Sequence, residues 1–264
     1  MKTLEAFSLD ERVALITGAG RGIGAAIARA FAGAGAAVAL VARTEDAIQA
    51  VASEIRTAGG RAIAVPADVT ELTQLSSTIE RTVAAFGGLD ILVNNAGGEV
   101  SPAFLDTRVD HLQEAFHFNV SVPFELSRLA APYLLERSGA SIINMSSIVV
   151  GKQVRGHLAH HVGKAAEAQL TLSMAADLGP RIRVNALLPA QVETEQLREY
   201  LHSKDPDLLA TLAERTRMRR NATPEDVAYA AVYLASPAAS WVTGVLHHID
   251  GGAVDEIRPM GPDL

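Results

Sequence analysis

Seven runs of strand length that are apolar at almost every position constrain this chain more than any other feature. They fall at residues 13–17, 37–42, 61–65, 90–94, 141–145, 181–185 and 245–249. A strand with one wet face alternates apolar and polar residues. A strand without that alternation is buried on both faces, as in a parallel sheet covered by helices. Longer helical segments at 22–34, 45–58, 71–86, 110–137 and 157–177 alternate with these runs. Such an order, joined by right-handed crossovers, predicts an α/β fold: a doubly wound parallel sheet of the Rossmann type, in three layers. No Pro/Ser/Gly-rich linker and no internal repeat divides the 264 residues, so they read as one domain.

Two stretches break the rhythm. Residues 195–220 are polar and irregularly patterned, with Pro206 inside. Following a strand at the end of the sheet where ligands bind, this stretch is either a helical lid over a site or a solvated surface insertion. The tail at 255–264 carries two prolines and little hydrophobicity, and is expected to be extended, loose or docked on a neighbouring subunit.

Composition narrows the partners. Aromatic residues make up only 5%, so the core is built from Ala, Val, Leu and Ile, small enough to let helices approach a sheet closely. The net charge is −7 with no long basic run, which argues against nucleic-acid binding. The absence of cysteine excludes disulfides, thiolate metal sites and a thiol nucleophile. Residues 1–10 lack an apolar signal core and no later stretch reads as a membrane span, so a cytoplasmic protein is expected.

The first strand runs into Thr17-Gly18-Ala19-Gly20-Arg21-Gly22-Ile23-Gly24. Glycines permit a tight turn and let backbone N–H groups approach a pyrophosphate, whose charge is favoured at a helix N-terminus. The spacing, Gly-x-x-x-Gly-x-Gly, differs from the commoner dinucleotide fingerprint, and its weight comes from its place after a buried strand. An acidic residue at the end of the second strand would bind the ribose hydroxyls of NAD. Here stand Ala42 and Arg43, with no carboxylate until Glu45. Arg43, with Arg21, suits a 2′-phosphate, so NADP is favoured over NAD; the alternative is that both are solvated surface arginines.

These features, with others in the same order, resemble the short-chain dehydrogenase/reductase family, particularly its 3-oxoacyl-carrier-protein-reductase-like members. Asp68-Val69 follows the third strand and Asn94-Asn95-Ala96-Gly97 ends the fourth. Asn119 lies in Phe118-Asn119-Val120, Ser147 ends Asn144-Met145-Ser146-Ser147, and Leu188-Pro189-Ala190-Gln191-Val192-Glu193-Thr194 resembles the family's Pro-Gly-x-x-x-Thr. Thr223 to Val227 and Thr243 to Gly252 match its C-terminal region. The resemblance implies that Gly18, Arg21, Gly22, Ile23, Gly24, Arg43, Asp68, Val69, Asn95, Ala96, Gly97, Lys164, Pro189 and Thr194 bind the cofactor. It also implies a small carbonyl or alcohol substrate, catalytic roles for Asn119, Ser147 and Lys164, no metal, and a homotetramer or dimer.

One position departs from the family. Its Tyr-x-x-x-Lys appears as His160-His161-Val162-Gly163-Lys164, with His160 where the proton-donating tyrosine belongs. The i, i+4 spacing puts His160 and Lys164 on one helix face. Imidazole titrates near ~6.5 unperturbed, and a Lys164 ammonium beside it is expected to favour the neutral ring. Three readings stay open: a reductase using His160, directly or through water, with carbonyl or imine substrates; a reductase with another donor, Tyr200 being the tyrosine to test; and a silent cofactor-binding protein. His157, His160 and His161 read as polar helix-start residues, not a metal site. Phe116, Phe118, Phe124, Leu126, Leu170 and Leu172 offer more apolar surface than one sheet face needs, as subunit pairing would require. Pro132 is expected to kink its helix.

Overall fold

Successive side chains of each strand point to opposite faces, and both faces are dry. In β1 (Val13–Thr17), Ala14 and Ile16 enter one apolar cluster and Leu15 the other. β2 (Ala37–Ala42) divides Val38 and Leu40 from Ala39 and Val41 in the same way. That division is the physical reason the strands are apolar throughout. In the computed structural model, residues 3–98, 102–152, 155–195, 197–199 and 207–253 are described.

With β3 (Arg61–Pro66), β4 (Ile91–Asn94), β5 (Ala140–Met145), β6 (Ile182–Pro189) and β7 (Leu246–Ile249), the strands form a seven-stranded sheet in the order β3-β2-β1-β4-β5-β6-β7. All pairings are parallel. The helices are α1 (Gly22–Gly33), α2 (Glu45–Thr57), α3 (Leu75–Phe86), α4 (Val109–Phe116) and α5 (Val122–Leu135). They continue with α6 (Leu158–Leu178), α7 (Leu208–Glu214) and α8 (Pro224–Ala235). α1, α2 and α8 cover one face, where Phe31, Ile48 and Leu234 are wholly buried. α3, α5 and α6 cover the other, around Ile79, Leu126 and Ile142. Each such side chain stabilises the fold by about 1.5–3 kcal/mol relative to exposure. This is the doubly wound, three-layer architecture expected of the strand pattern.

Several local expectations need correction. The helical segment at 110–137 is interrupted by a π-helical turn, His117–Ser121, between α4 and α5. There Asn119 Nδ2 donates to the Ala115 carbonyl at 2.8 Å, taking the acceptor one turn back and widening the backbone. Leu126 is not surface: it is wholly buried against the sheet, whereas Phe116 and Phe124 are exposed. Within 195–220, α7 buries Leu208 and Leu212 beside Leu197. Val192 bridges Ala222, and Thr216 bridges Ala253, which ties the later part of the segment to the end of β6 and to the turn after β7. Tyr200, Pro206 and the tail at 255–264 lie outside the described residues. Among the described residues, no helix is long and apolar enough to cross a membrane.

Candidate active site

The strand order reverses between β1 and β4, and in doubly wound sheets that switch point opens a crevice at the strands' carboxyl ends. Thr17 closes its floor. Its Oγ1 accepts from the Asn95 and Ala96 amides, both at 3.0 Å, and Asn95 Nδ2 donates to the Thr17 carbonyl at 2.9 Å and to that of Gly18 at 3.3 Å. Asn95 and Ala96 are thus stitched to the first turn of the glycine loop.

The loop tolerates no side chains at two points. Gly18 has φ +65°, and a Cβ on Gly24 would stand 2.4 Å from the Gly18 carbonyl oxygen and 2.6 Å from Asn95 Nδ2. The loop is folded so tightly onto α1 that a side chain at Gly24 has no room. Arg21, at the N-cap, is extended; Ile23, in the first turn of α1, packs on the core. A Cβ on Gly22 would meet Thr194 Cγ2 at 3.0 Å, so the segment after β6, which begins beyond Pro189, reaches across to the loop. A cradle that backbone alone can line, at the start of a helix, fits a pyrophosphate.

At the end of β2, Arg43 is three-quarters exposed, and the Asp68 carboxylate lies 3.8 Å from its guanidinium. The sequence offers Arg43 no carboxylate until Glu45, but β2–β3 pairing delivers one from 25 residues away. Burial raises the Asp68 pKa, but the hydroxyl and amide of Thr70 and the charge of Arg43 outweigh it, and the net shift is downward. Val69 is buried beside it.

The second half of the site gathers around Gly97. A Cβ there would lie 3.2 Å from Lys164 Nζ and 3.4 Å from Asn119 Oδ1. Gly163 lets α6 come in: a Cβ would stand 3.1 Å from Asn119 Nδ2. Ser147 follows β5, half-buried, with its Oγ accepting from the Val149 amide at 3.4 Å. His160 is half-buried one turn before Lys164 on α6, with the rings of His157 and His161 at 6.4 Å from its own. Burial, followed by the charges of the neighbouring histidines, pushes the pKa of both His157 and His161 down. No group of residues suited to hold a metal ion occurs among the described residues.

Sequence reasoning missed Glu167. It is 1% exposed, Lys164 is 5% exposed, and Nζ donates to Glu167 Oε2 at 2.9 Å and to the Met145 carbonyl at 2.7 Å. The signal was the i, i+3 spacing from Lys164 on a helix whose buried face is otherwise rich in small residues. Only the fold shows that this face is dry.

A family model described as enoyl-(acyl carrier protein) reductase matches residues 18–254. The chain belongs to the short-chain dehydrogenase/reductase family. It is 46% identical over 250 residues to an oxidoreductase of Mycobacterium tuberculosis (strain CDC 1551 / Oshkosh), covering 94% of each chain. It is 38% identical over 251 residues to the 7α-hydroxysteroid dehydrogenase of Escherichia coli (strain K12), covering 95% of this chain and 97% of that one. Among solved structures it is similar to a 7α-hydroxysteroid dehydrogenase complexed with NADH and 7-oxo-glycochenodeoxycholic acid. The TM-score is 0.91 and the identity 37%, with 97% of this chain and 99% of that one covered. Membership of this family makes the chain an oxidoreductase that transfers hydride with a nicotinamide cofactor.

Proposed function

We propose that this short-chain oxidoreductase uses NADP(H) to interconvert a carbonyl, or an imine, and the corresponding alcohol or amine, with His160 in the proton-donor position. The observation that carries this is the approach of Lys164 Nζ and Asn119 Oδ1 to one point above Gly97, beside a glycine cradle only backbone can line.

The dinucleotide, when bound, supplies or accepts the hydride. The amides of Gly18, Gly22 and Gly24 receive its pyrophosphate at the start of α1. Arg21 and Arg43 take a 2′-phosphate, and Asp68, already engaged with Thr70, and Val69 border the adenine. Asn95, Ala96 and Gly97 line the path between the two ends, and Pro189 and Thr194 hold the nicotinamide end. An ammonium has three N–H bonds; the bonds to Met145 and Glu167 use two, so one of the three can reach the ribose. Ser147 orients the substrate oxygen, His160 moves its proton, and Asn119 anchors water in the path to bulk solvent. Imidazole is shorter than phenol, and one bridging water makes up the reach.

The solved relative carries NADH. Arg43 in place of a carboxylate at the end of β2 is the reason for favouring the phosphorylated cofactor here. A bulky cyclic ketone is the substrate class to test first, by analogy with that relative's 7-oxo bile acid. The segment at 195–220 is proposed as a lid, supported by the placing of Thr194, just before it, 3.0 Å from where a Cβ on Gly22 would lie, and by the small apolar cluster under α7. Exposed Phe116 and Phe124 support pairing of α4 and α5 between copies as a dimer or tetramer.

Fluorescence titration with NADPH and NADH, followed by a ketone and alcohol panel, tests the reading. NADPH is expected to bind at least about tenfold tighter, equivalent to ~1.4 kcal/mol. Binding without any turnover sinks the reductase in favour of a silent cofactor-binding protein, and binding of neither dinucleotide sinks both.

A further inference from the structure

The buried carboxylate of Glu167 has no part in the steps above, yet it lies one side chain away from them. Resting on the assignment of His160 as proton donor, we infer that Glu167 is a positioning residue that neutralises Lys164 and so allows His160 to carry a proton.

The argument starts from charge. A lone ammonium one helical turn from an imidazole disfavours the imidazolium. That arrangement suits a phenol donor, whose ionisation an ammonium assists, and opposes a histidine donor, which must be cationic before it gives up its proton. In this chain the ammonium is not alone. Glu167 Oε2 lies 2.9 Å from Nζ, with both side chains nearly excluded from water. The pair carries no net charge whether the proton sits on nitrogen or on oxygen, so the penalty on His160 is removed in either state. The Ser146 hydroxyl donates to the Lys164 carbonyl at 3.2 Å and fixes the turn of α6 between the two partners.

The surroundings leave this role to Glu167. The charges acting on its carboxyl are those of Lys164 and His160; burial pushes its pKa up, and Lys164, Ser146 and His160 oppose the rise. His157 and His161 share the helix start and can only discourage a further positive charge. Ionisable groups on the elements packed against α6 are otherwise engaged. On α4, Asp110 binds Arg108, His111 accepts from the Arg108 amide, and exposed Glu114 lies in the field of Arg108. In the π-turn, His117 Nε2 contacts the Thr70 carbonyl, and on β6, Arg183 donates to the Val242 carbonyl. Among these, Glu167 is the carboxylate built against Lys164.

The test follows the His160 Cε1–H resonance by NMR as pH is varied, in the full chain without substrate, so it needs no turnover and is independent of whether the reductase reading stands. In Glu167→Gln the His160 pKa is expected to fall by about one unit or more. In Lys164→Met, which leaves the carboxylate, it is expected to rise; this variant still decides the matter if Glu167→Gln does not fold. Glu167→Asp should restore much of the native value. With turnover, Glu167→Gln should move the reduction limb of the pH profile to lower pH in the native chain. In a His160→Tyr background the same change should speed reduction at neutral pH, because the released ammonium acidifies the phenol. A His160 pKa unmoved in both Glu167→Gln and Lys164→Met overturns the inference, as does a rate change of the same sign with His160 and with Tyr.

Discussion

Gly24→Ala is the substitution whose cost can be worked most fully from the structure. The added Cβ would sit 2.4 Å from the Gly18 carbonyl oxygen, about 1 Å inside the 3.4 Å at which ordinary contact begins, and 2.6 Å from Asn95 Nδ2. Neither neighbour can swing away: one is backbone, and the other is held to the Thr17 and Gly18 carbonyls. Overpacking of this kind costs about 1–3 kcal/mol, and weakening the two Asn95 bonds adds about 1 kcal/mol each. The ~1 kcal/mol that alanine gains over glycine within a helix offsets only part. A net loss of roughly 2–4 kcal/mol corresponds to a Tm lower by about 4–16 °C in a chain of this size. The assay is thermal unfolding by circular dichroism, paired with NADPH titration. Gly33→Ala, at the end of the same helix with nothing within 4 Å, is the control, and should be neutral or stabilising by ~0.4–1 kcal/mol. A Gly24→Ala variant with native Tm and native dinucleotide affinity would refute the reasoning about the loop.

Three further outcomes follow from the same geometry. Arg43→Ala should lower the preference for NADPH over NADH by roughly 10- to 100-fold, the worth of one charge-assisted phosphate contact, read as the ratio of the two Kd values. Asn144→Ala should cost about 2–4 kcal/mol in denaturant unfolding, because Asn94 donates to Asn144 at 2.8 Å and Asn144 to Thr171 at 2.8 Å, all buried. At the start of α8, Asp226 is held at a pKa of about 2, chiefly by Arg220 against the opposing effect of burial. A depressed carboxylate stabilises the fold above its unfolded pKa and loses that contribution as pH falls through the folded value. Asp226→Asn should therefore cost up to ~1 kcal/mol at neutral pH after screening, with the gap to the native chain closing between about pH 4 and 2.

The sheet was legible in the sequence because burial on two faces leaves a mark that does not depend on neighbours: every position of β1, β2 and β4 is apolar or small up to its last residue. The glycine loop was legible for a similar reason, since the positive φ of Gly18 and the closeness of a Gly24 Cβ to the Gly18 carbonyl are set within seven residues. What sequence did not reveal depends on contacts made by folding. Arg43 meets Asp68 only because β2 and β3 pair in register. Glu167 was visible three residues from Lys164, but an i, i+3 pair on an exposed face is ordinary, and only the packing of α6 makes it a buried pair. The π-turn at Asn119 arises from one side chain capturing one carbonyl, which no periodicity reports.

The most direct measurement of the central assignment is the rate of NADPH oxidation with a bulky cyclic ketone, from about pH 5 to 9, for the native chain and for His160→Phe. The native rate should fall from acid to alkaline pH, because only a protonated imidazole can give up a proton, and the variant should bind NADPH normally while turning over at least about 100-fold more slowly. A variant as fast as the native chain, or a native profile flat across the range, contradicts the assignment.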